Sequence, residues 1–284
     1  MITITRDYEP TFLDHDTERF EEIYDDSIED VSIKRDNLIS VFGNAITICQ
    51  WWSFDLTQEN KQKSITALKL AAKAGEAIFR LGREPEKEQR VVIDDILDAT
   101  YNGKGMLWQG GFLSGADWQK AFFCAAIVRD QDAMDSLAKF PVSVMRQCST
   151  TNSEAEYALV ELIQAIHRRI PRDECLEVLR TALAELDKES ATDMWVNYCT
   201  GGKTGFILAF MMDGEVTPST ALANALTDSW DYCERYRDLE GYEQPDFYMP
   251  IVLLGLTCMA KDLGNEINVL SDFIPQFYID GDYL

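Results

Sequence analysis

The run CTGGKTGF holds the residues that most resemble a site for chemistry. Gly202, Lys203 and Thr204 follow one another as they do at the end of a phosphate-binding loop. That loop also needs a glycine five positions before the Gly-Lys pair, where this chain has Asn197, and a strand ahead of it, for which no pattern exists. We therefore expect no nucleotide cofactor. The run indicates instead that one helix ends at Gly201 and Gly202, that another follows, and that Lys203 lies in solvent.

Three aspartates close together, Asp94, Asp95 and Asp98, are the next candidates. They lie within 84–101, which we predict to be a helix, so that two carboxylates would share one face. Adjacent carboxylates in a dry cleft can act as general acid and general base. However, 49 of the 284 residues are acidic, so acids three or four positions apart also arise by chance. Carboxylate chemistry here stays an alternative.

Histidine and cysteine usage argues against a metal site and against a nucleophile with a base. His15 lies in an acidic segment and His167 beside two arginines, and no His-x-x-x-His, Glu-x-x-His or Cys-x-x-Cys pattern occurs. The 7 cysteines are widely spaced within apolar helical patterns, which is typical of a reduced, cytosolic protein that uses cysteine as a small hydrophobe. The leading interpretation assigns no catalytic, cofactor-binding or metal-binding residue.

The stretch EEIYDDSIED is the most strongly charged part of the chain. On a helix its acids form one face and its apolar residues the other. Like charges four positions apart each cost roughly 0.2–0.5 kcal/mol on an isolated helix. The face is either solvated surface of an acidic protein or a surface that binds a basic partner. Its candidate partner-binding residues are Glu21, Glu22, Asp25, Asp26, Glu29 and Asp30.

The overall charge restricts the class of partner. Lys and Arg total 26 against 49 Asp and Glu, so the formal net charge is −23. Because phosphate groups are bound by basic surfaces, we expect neither nucleic acid nor a membrane as partner, and a basic protein fits better. The N-terminus shows no signal peptide, and the longest apolar runs, of about ten residues, are too short to span a bilayer. We expect a cytoplasmic protein.

Apolar residues recur at three and four positions almost throughout, which predicts an all-α fold. Helix pairs follow roughly every 35–45 residues, so we expect stacked antiparallel helical hairpins. These would form a single compact helical domain, 32–284, after an acidic N-terminal segment, 1–31. A glycine-rich stretch marks a possible hinge, 102–115.

Capping residues mark the starts of several helices: Asp55 or Thr57, Ser114, and Asp130 or Asp132. The C-terminal tail keeps aromatic residues without clear helical phase, and we expect it to pack back on the body as an irregular segment. After the acidic face, the next candidates for partner binding are Trp108, Asp280, Asp282 and Tyr283.

Three segments share a further pattern: 118–142, 154–166 and 247–279. An Ala-rich helix ends in Arg-Asp and leads to a proline, and a later helix with Leu, Ala, Asp and Gly precedes a Ser-x-Phe-x-Pro stretch. The residues that carry the pattern are Arg129, Asp130, Leu137, Pro141, Pro250, Leu254, Ala260, Asp262, Gly264, Ser271, Phe273 and Pro275. In these segments the chain resembles immunity protein family 49 of bacterial polymorphic toxin systems.

This resemblance implies an all-α cytoplasmic antitoxin that binds and neutralises a cognate toxin encoded beside it. It identifies neither the toxin nor the contact residues. Three hypotheses follow. The first is an inhibitor that docks its acidic surface on a basic toxin, such as a nucleic-acid- or nucleotide-directed enzyme. The second is a helical-repeat scaffold or adaptor without a toxin partner. The third is an enzyme centred on Asp94, Asp95 and Asp98.

Overall fold

The structure, a computed structural model, describes residues 1–107, 112–212, 214–240 and 245–283, with 238–240 as backbone only. Helices dominate this part of the chain, which confirms the all-α prediction. The chain divides into two compact units. We call Pro10–Asn152 the N-terminal unit, and Met1–Glu9 together with Ser153–Leu284 the C-terminal unit.

A short strand of the C-terminal unit comes first in the chain, and the N-terminal unit follows it. In the N-terminal unit each of the first four helices packs on the next one in the chain. In chain order these elements are β1 (Ile2–Ile4), α1 (Leu13–Asp30), α2 (Asn37–Trp52), α3 (Gln58–Arg83), β2 (Gln89–Ile93), β3 (Leu97–Tyr101), α4 (Gly115–Ile127), α5 (Gln131–Leu137) and α6 (Val142–Met145).

Side-chain caps start several of the helices. Thr57 accepts a hydrogen bond from the Asn60 N–H, Ser114 from Asp117, and Asp130 from Ala133. Each satisfies a donor that the first helical turn leaves without a partner. Among the predicted alternatives, the structure therefore selects Thr57 and Asp130, and it confirms Ser114.

The helix predicted over 84–101 is wrong, because β2 and β3 form an antiparallel hairpin there. Burial alternates along β2, and its inward residues include Val91 and Ile93, which is the period of two that a half-buried strand requires. The chain turns at Asp94, which has a positive φ of 42°. Asp94 and Asp95 therefore lie at the turn and Asp98 lies on β3, so the three carboxylates do not share one helical face.

The C-terminal unit contains the remaining elements, and the tail closes it. Helix pairs α7/α8 and α9/α10 pack as neighbours, and β1 pairs in parallel with β4, Ile2 opposite Val269. The elements are α7 (Glu154–His167), α8 (Arg172–Glu189), a π-helix (Val196–Thr200), α9 (Gly201–Met211), α10 (Pro218–Glu240), a 3₁₀-helix (Pro245–Phe247), α11 (Ile251–Asp262), β4 (Val269–Ser271) and α12 (Gln276–Asp280).

The tail packs back on the body as predicted, but it is not irregular. It forms β4 and α12, and it buries Phe273, Ile274 and Tyr278. Arg6 ties the first strand to it, because its guanidinium donates to the carbonyls of Tyr248 and Asp272 at 3.2 and 3.3 Å. Burial lowers the pKa of Arg6 to about 10, and the Asp272 charge opposes that shift.

The predicted helix end at Gly201–Gly202 is also wrong. The π-helix runs straight into α9 through both glycines. Lys203 is buried, at 7% exposure, and its ammonium lies 5.4 Å from the ring centre of Trp195. The Lys203 ammonium can be buried here because it lies over an indole ring, whose face attracts a cation. No part of this run forms a loop that could surround a phosphate.

All seven cysteines are free and buried, in agreement with their predicted use as small hydrophobes. Burial raises the pKa of Cys124 and that of Cys199, the latter to about 12. A thiol is a poor nucleophile when its thiolate is this unfavourable. Packing explains these residues.

The crossing of α3 and α4 depends on a glycine. A Cβ on Gly75 would lie 2.7 Å from Ala121 Cβ and 3.1 Å from Phe42 Cε2, whereas a Cβ on Gly43, in α2, would meet nothing within 4 Å.

We predict that Gly75→Val lowers the free energy of unfolding by about 1–3 kcal/mol through overpacking. The matched Gly43→Val should change it by less than about 0.5 kcal/mol. Urea denaturation measures both, and equal effects would contradict the close crossing.

Candidate partner-binding surface

The acidic stretch of the sequence lies on α1, as predicted. Glu22, Asp25, Asp26, Glu29 and Asp30 are exposed on this helix, while Tyr24 and Ser27 are buried on the opposite side. The structure therefore brings these five carboxylates together on one face. We call them the acidic face.

Aromatic packing holds α1 on α2. Phe20 stacks on Trp51 with ring centres 5.5 Å apart, and Tyr24 meets Trp52 edge-on at 6.2 Å. Burial, with smaller contributions from Cys49 and Asp25, raises the pKa of Tyr24, so its hydroxyl stays neutral. Because α1 has no side-chain cap at its start, this packing supplies stability that its polar residues do not.

Glu21 differs from the rest of the acidic residues. Its carboxylate accepts a hydrogen bond of 2.7 Å from the Trp52 indole N–H and lies 3.4 Å from the Lys63 ammonium. The hydrogen bond to Glu59, together with Glu21, raises the pKa of Lys63. Glu21 is thus part of the packing of α1, and its availability to a partner stays a prediction.

The carboxylates of the acidic face lack ion-pair partners among the described residues: none of the five lies in a salt bridge there. Glu29 and Asp30 lie in the last turn of α1, where the helix dipole already places negative partial charge and where no basic residue occurs. In the described part of the chain, no ion pair therefore offsets the repulsion along this face.

A groove runs beside the acidic face and reaches the aromatic residues beneath it. It encloses about 290 Å³, and Tyr24, Trp52 and Thr66 form part of its lining. Asp25 and Lys63 lie on the same groove. A side chain docked on the acidic face would therefore find both a carboxylate and an apolar wall. The sequence offered no signal for Lys63, because its contact with Glu21 joins two helices far apart in the chain.

The tail candidates lie in the C-terminal unit and are partly engaged. Asp280 pairs with Lys261 and accepts a hydrogen bond of 2.9 Å from the Gln276 amide. The ring of Tyr283 lies edge-on to Tyr278 at 6.2 Å. Asp282 is exposed. Trp108, which the sequence also nominated, lies outside the described residues.

The three aspartates proposed for acid/base chemistry lack the surroundings that such chemistry needs. Asp98 forms two hydrogen bonds with Arg90, of 2.7 and 2.6 Å, and Asp94 pairs with Lys73. The Arg90 hydrogen bonds lower the pKa of Asp98, opposite to the raised value of a general acid. All three side chains are exposed or half-exposed. Among the described residues, no three His, Cys, Asp or Glu side chains are arranged to hold a metal ion.

We predict that Glu21→Ala lowers the free energy of unfolding by about 1–3 kcal/mol, because the buried Trp52 N–H loses its charged acceptor. The matched Glu22→Ala, one position along α1, should have an effect within about 0.5 kcal/mol and of stabilising sign, since it removes like-charge repulsion. The midpoint of urea unfolding measures both. Equal destabilisation by the two changes would show that Glu21 has no special role.

Comparison with known proteins identifies the family. The model of Immunity protein 49 matches residues 55–278, which extend from the turn before α3 into α12. No curated protein and no solved structure matches the chain. The family match covers most of the chain and contains all twelve residues that carried the resemblance, while α1 lies outside it. The chain belongs to the Immunity protein 49 family.

Proposed function

We propose that this protein neutralises a cognate toxin by docking the acidic face of α1 onto a basic surface of that toxin. The observation that carries the proposal is the set of five exposed carboxylates without an ion-pair partner in the described chain, on a helix anchored from behind by Trp51 and Trp52. Binding a partner that carries cations lowers the electrostatic repulsion between such carboxylates. Membership of an immunity family supports a toxin as that partner.

The sign of the charge points to a class of toxin. Enzymes that act on nucleic acids or nucleotides need basic sites for phosphate groups, and a net charge of −23 complements such a site. Docking there would block the substrate by occupying the surface that the substrate uses. The same charge opposes binding of nucleic acid or of an anionic membrane by this protein.

Inhibition by binding is favoured over enzymatic reversal of damage. Asp94 and Asp98 are held in ion pairs at the surface, and burial raises the pKa of Cys124 and Cys199. These groups are poorly suited to acid/base or nucleophilic work. We propose that the protein acts in the cytoplasm, where a nucleic-acid-directed toxin has its substrate. Nowhere in the described residues is a helix both long and apolar enough to cross a bilayer.

The C-terminal tail supplies a second candidate contact. Asp282 is exposed, and Asp280 and Tyr283 lie beside it on the C-terminal unit. Asp280 already pairs with Lys261, so it would have to exchange that partner on binding. We therefore rank the tail below the acidic face.

We predict that changing Glu22, Asp25, Asp26 and Glu29 to Lys slows association with the purified cognate toxin roughly tenfold or more at low salt, because steering charge is reversed. The rate should also become less dependent on salt. The unfolding midpoint of the free variant should stay the same or rise, because the pairs 21/25 and 26/30 become opposite in charge and lysines near the end of α1 suit its dipole, although 22/26 and 25/29 still repel. Surface plasmon resonance at two salt concentrations measures the rates.

A control variant carries the same change of formal charge elsewhere: Glu88, Glu161, Asp187 and Glu266 to Lys, all exposed and all outside α1. A general field effect would slow both variants equally, whereas a docking face would be specific to the α1 variant. Unchanged association of the α1 variant with a toxin that the unmodified protein inhibits would refute docking through this face.

A further inference from the structure

A groove along α9 and α10 in the C-terminal unit has no part in the proposed function. It encloses about 510 Å³. Its α9 wall runs from Gly201 to Met212, a span of about 16 Å at a helical rise of about 1.5 Å per residue. That length corresponds to about three turns of a helix.

The α9 wall of this groove is made of very small residues at helical spacing. Gly201, Gly205 and Ala209 lie four positions apart and all line the groove. A Cβ on Gly205 would meet nothing within 4 Å, so the space above it is open. Gly202 also lines the groove, but a Cβ there would come 3.0 Å from Ala225 Cα in α10. Gly202 therefore lets the two helices approach closely, and Gly205 leaves room for something else.

Apolar and acidic side chains both line the groove. Leu208, Met212 and Val216 are apolar, and Val216 is 51% exposed. Asp228 and Glu215 are acidic, and among the described residues no lysine or arginine lines the groove. The Asp228 carboxylate makes no hydrogen bond within the described chain, and burial, then the charge of Asp231, raises its pKa. Burial and Asp231 both disfavour the charged carboxylate of Asp228, and a nearby cation would stabilise it.

We infer that the α9–α10 groove is a docking site for an amphipathic basic helix of a partner protein. Its small, apolar residues would pack on Gly201, Gly205 and Leu208, and a lysine or arginine would meet Asp228. A helix fits better than an extended peptide because the stripe has a four-residue period and because the open space at Gly205 lets a helix backbone approach. The acidic lining, which contains no lysine or arginine among the described residues, sets the sign of the partner's charge.

This inference goes beyond the proposed function, since the groove lies in the other unit from the acidic face and needs no toxin to be tested. The probe is an acetylated, amidated helical peptide of Ala, Leu and Lys, about 16 residues long, enough for a marginal helix in water. A matched peptide has Glu in place of Lys. Both are titrated into full-length protein labelled with ¹³C at the methionine methyl groups, and Met212→Leu assigns the reporter signal.

We expect the Lys peptide to shift the Met212 signal and the Glu peptide to leave it unchanged. Gly205→Leu should raise the dissociation constant at Met212 at least tenfold, because its side chain fills the open space while leucine suits a helix interior. Gly43→Leu is the matched control, an exposed helical glycine of the N-terminal unit with equally open space, and should change affinity less than about twofold. Asp228→Asn should weaken binding several-fold.

The α1 variant with four lysines separates this site from the acidic face, since the Met212 response should persist in it. Unfolding midpoints of Gly205→Leu and Gly43→Leu, both expected to stay level or rise, show that loss of binding is not loss of fold. The proposal is overturned by an absent Met212 shift, by equal affinity for the two peptides, or by unchanged affinity in Gly205→Leu.

Discussion

The contact between α1 and the indole of Trp52 decides whether the acidic face has a fixed position. Its helix repels itself along one side and has no side-chain cap, so by itself it would be weak. Stacking of Phe20 on Trp51, the edge contact of Tyr24 with Trp52, and the hydrogen bond from Trp52 to Glu21 fix it on α2. Glu21 holds α1 on α2 through this hydrogen bond, and the five exposed carboxylates of the acidic face are therefore fixed in position.

Fixing the helix matters for binding as well as for stability. Carboxylates on a mobile segment would lose conformational entropy on docking, whereas those on a packed helix have already lost it. The cost of holding like charges together is met once, during folding, by apolar packing. The remaining electrostatic repulsion is then available as a driving force for association with a basic protein.

Glycine has two opposite roles in this fold. At Gly75 the missing Cβ lets α3 and α4 touch, and at Gly202 it lets α9 approach α10. At Gly205 nothing occupies the space that a side chain would fill, and a groove remains. The family match covers this groove and leaves out the acidic face. The acidic face is therefore marked by charge and exposure alone, whereas the groove belongs to the part of the chain shared with the family.

The sequence by itself determined the helical class and the acidic character of α1. It also determined the cap at Ser114, and it named Thr57 and Asp130 as one of two alternatives each. These features depend on local periodicity and on side chains within a few residues of one another. It also carried the family pattern, which is spread along the matched region. Glu21 could not be distinguished from Glu22, because Trp52 and Lys63 reach it only across helices.

Only the tertiary structure decided the states of the residues that first suggested chemistry. Asp94 and Asp98 do not lie on the predicted helix, because burial of Val91 and Ile93 at a period of two favours a strand there. In so short a segment, this burial outweighs the helical spacing of the apolar residues. Lys203 became buried because α9 continues through two glycines and brings it beside Trp195. In each case contacts distant in sequence determined the environment of a charged group, and no local pattern records them.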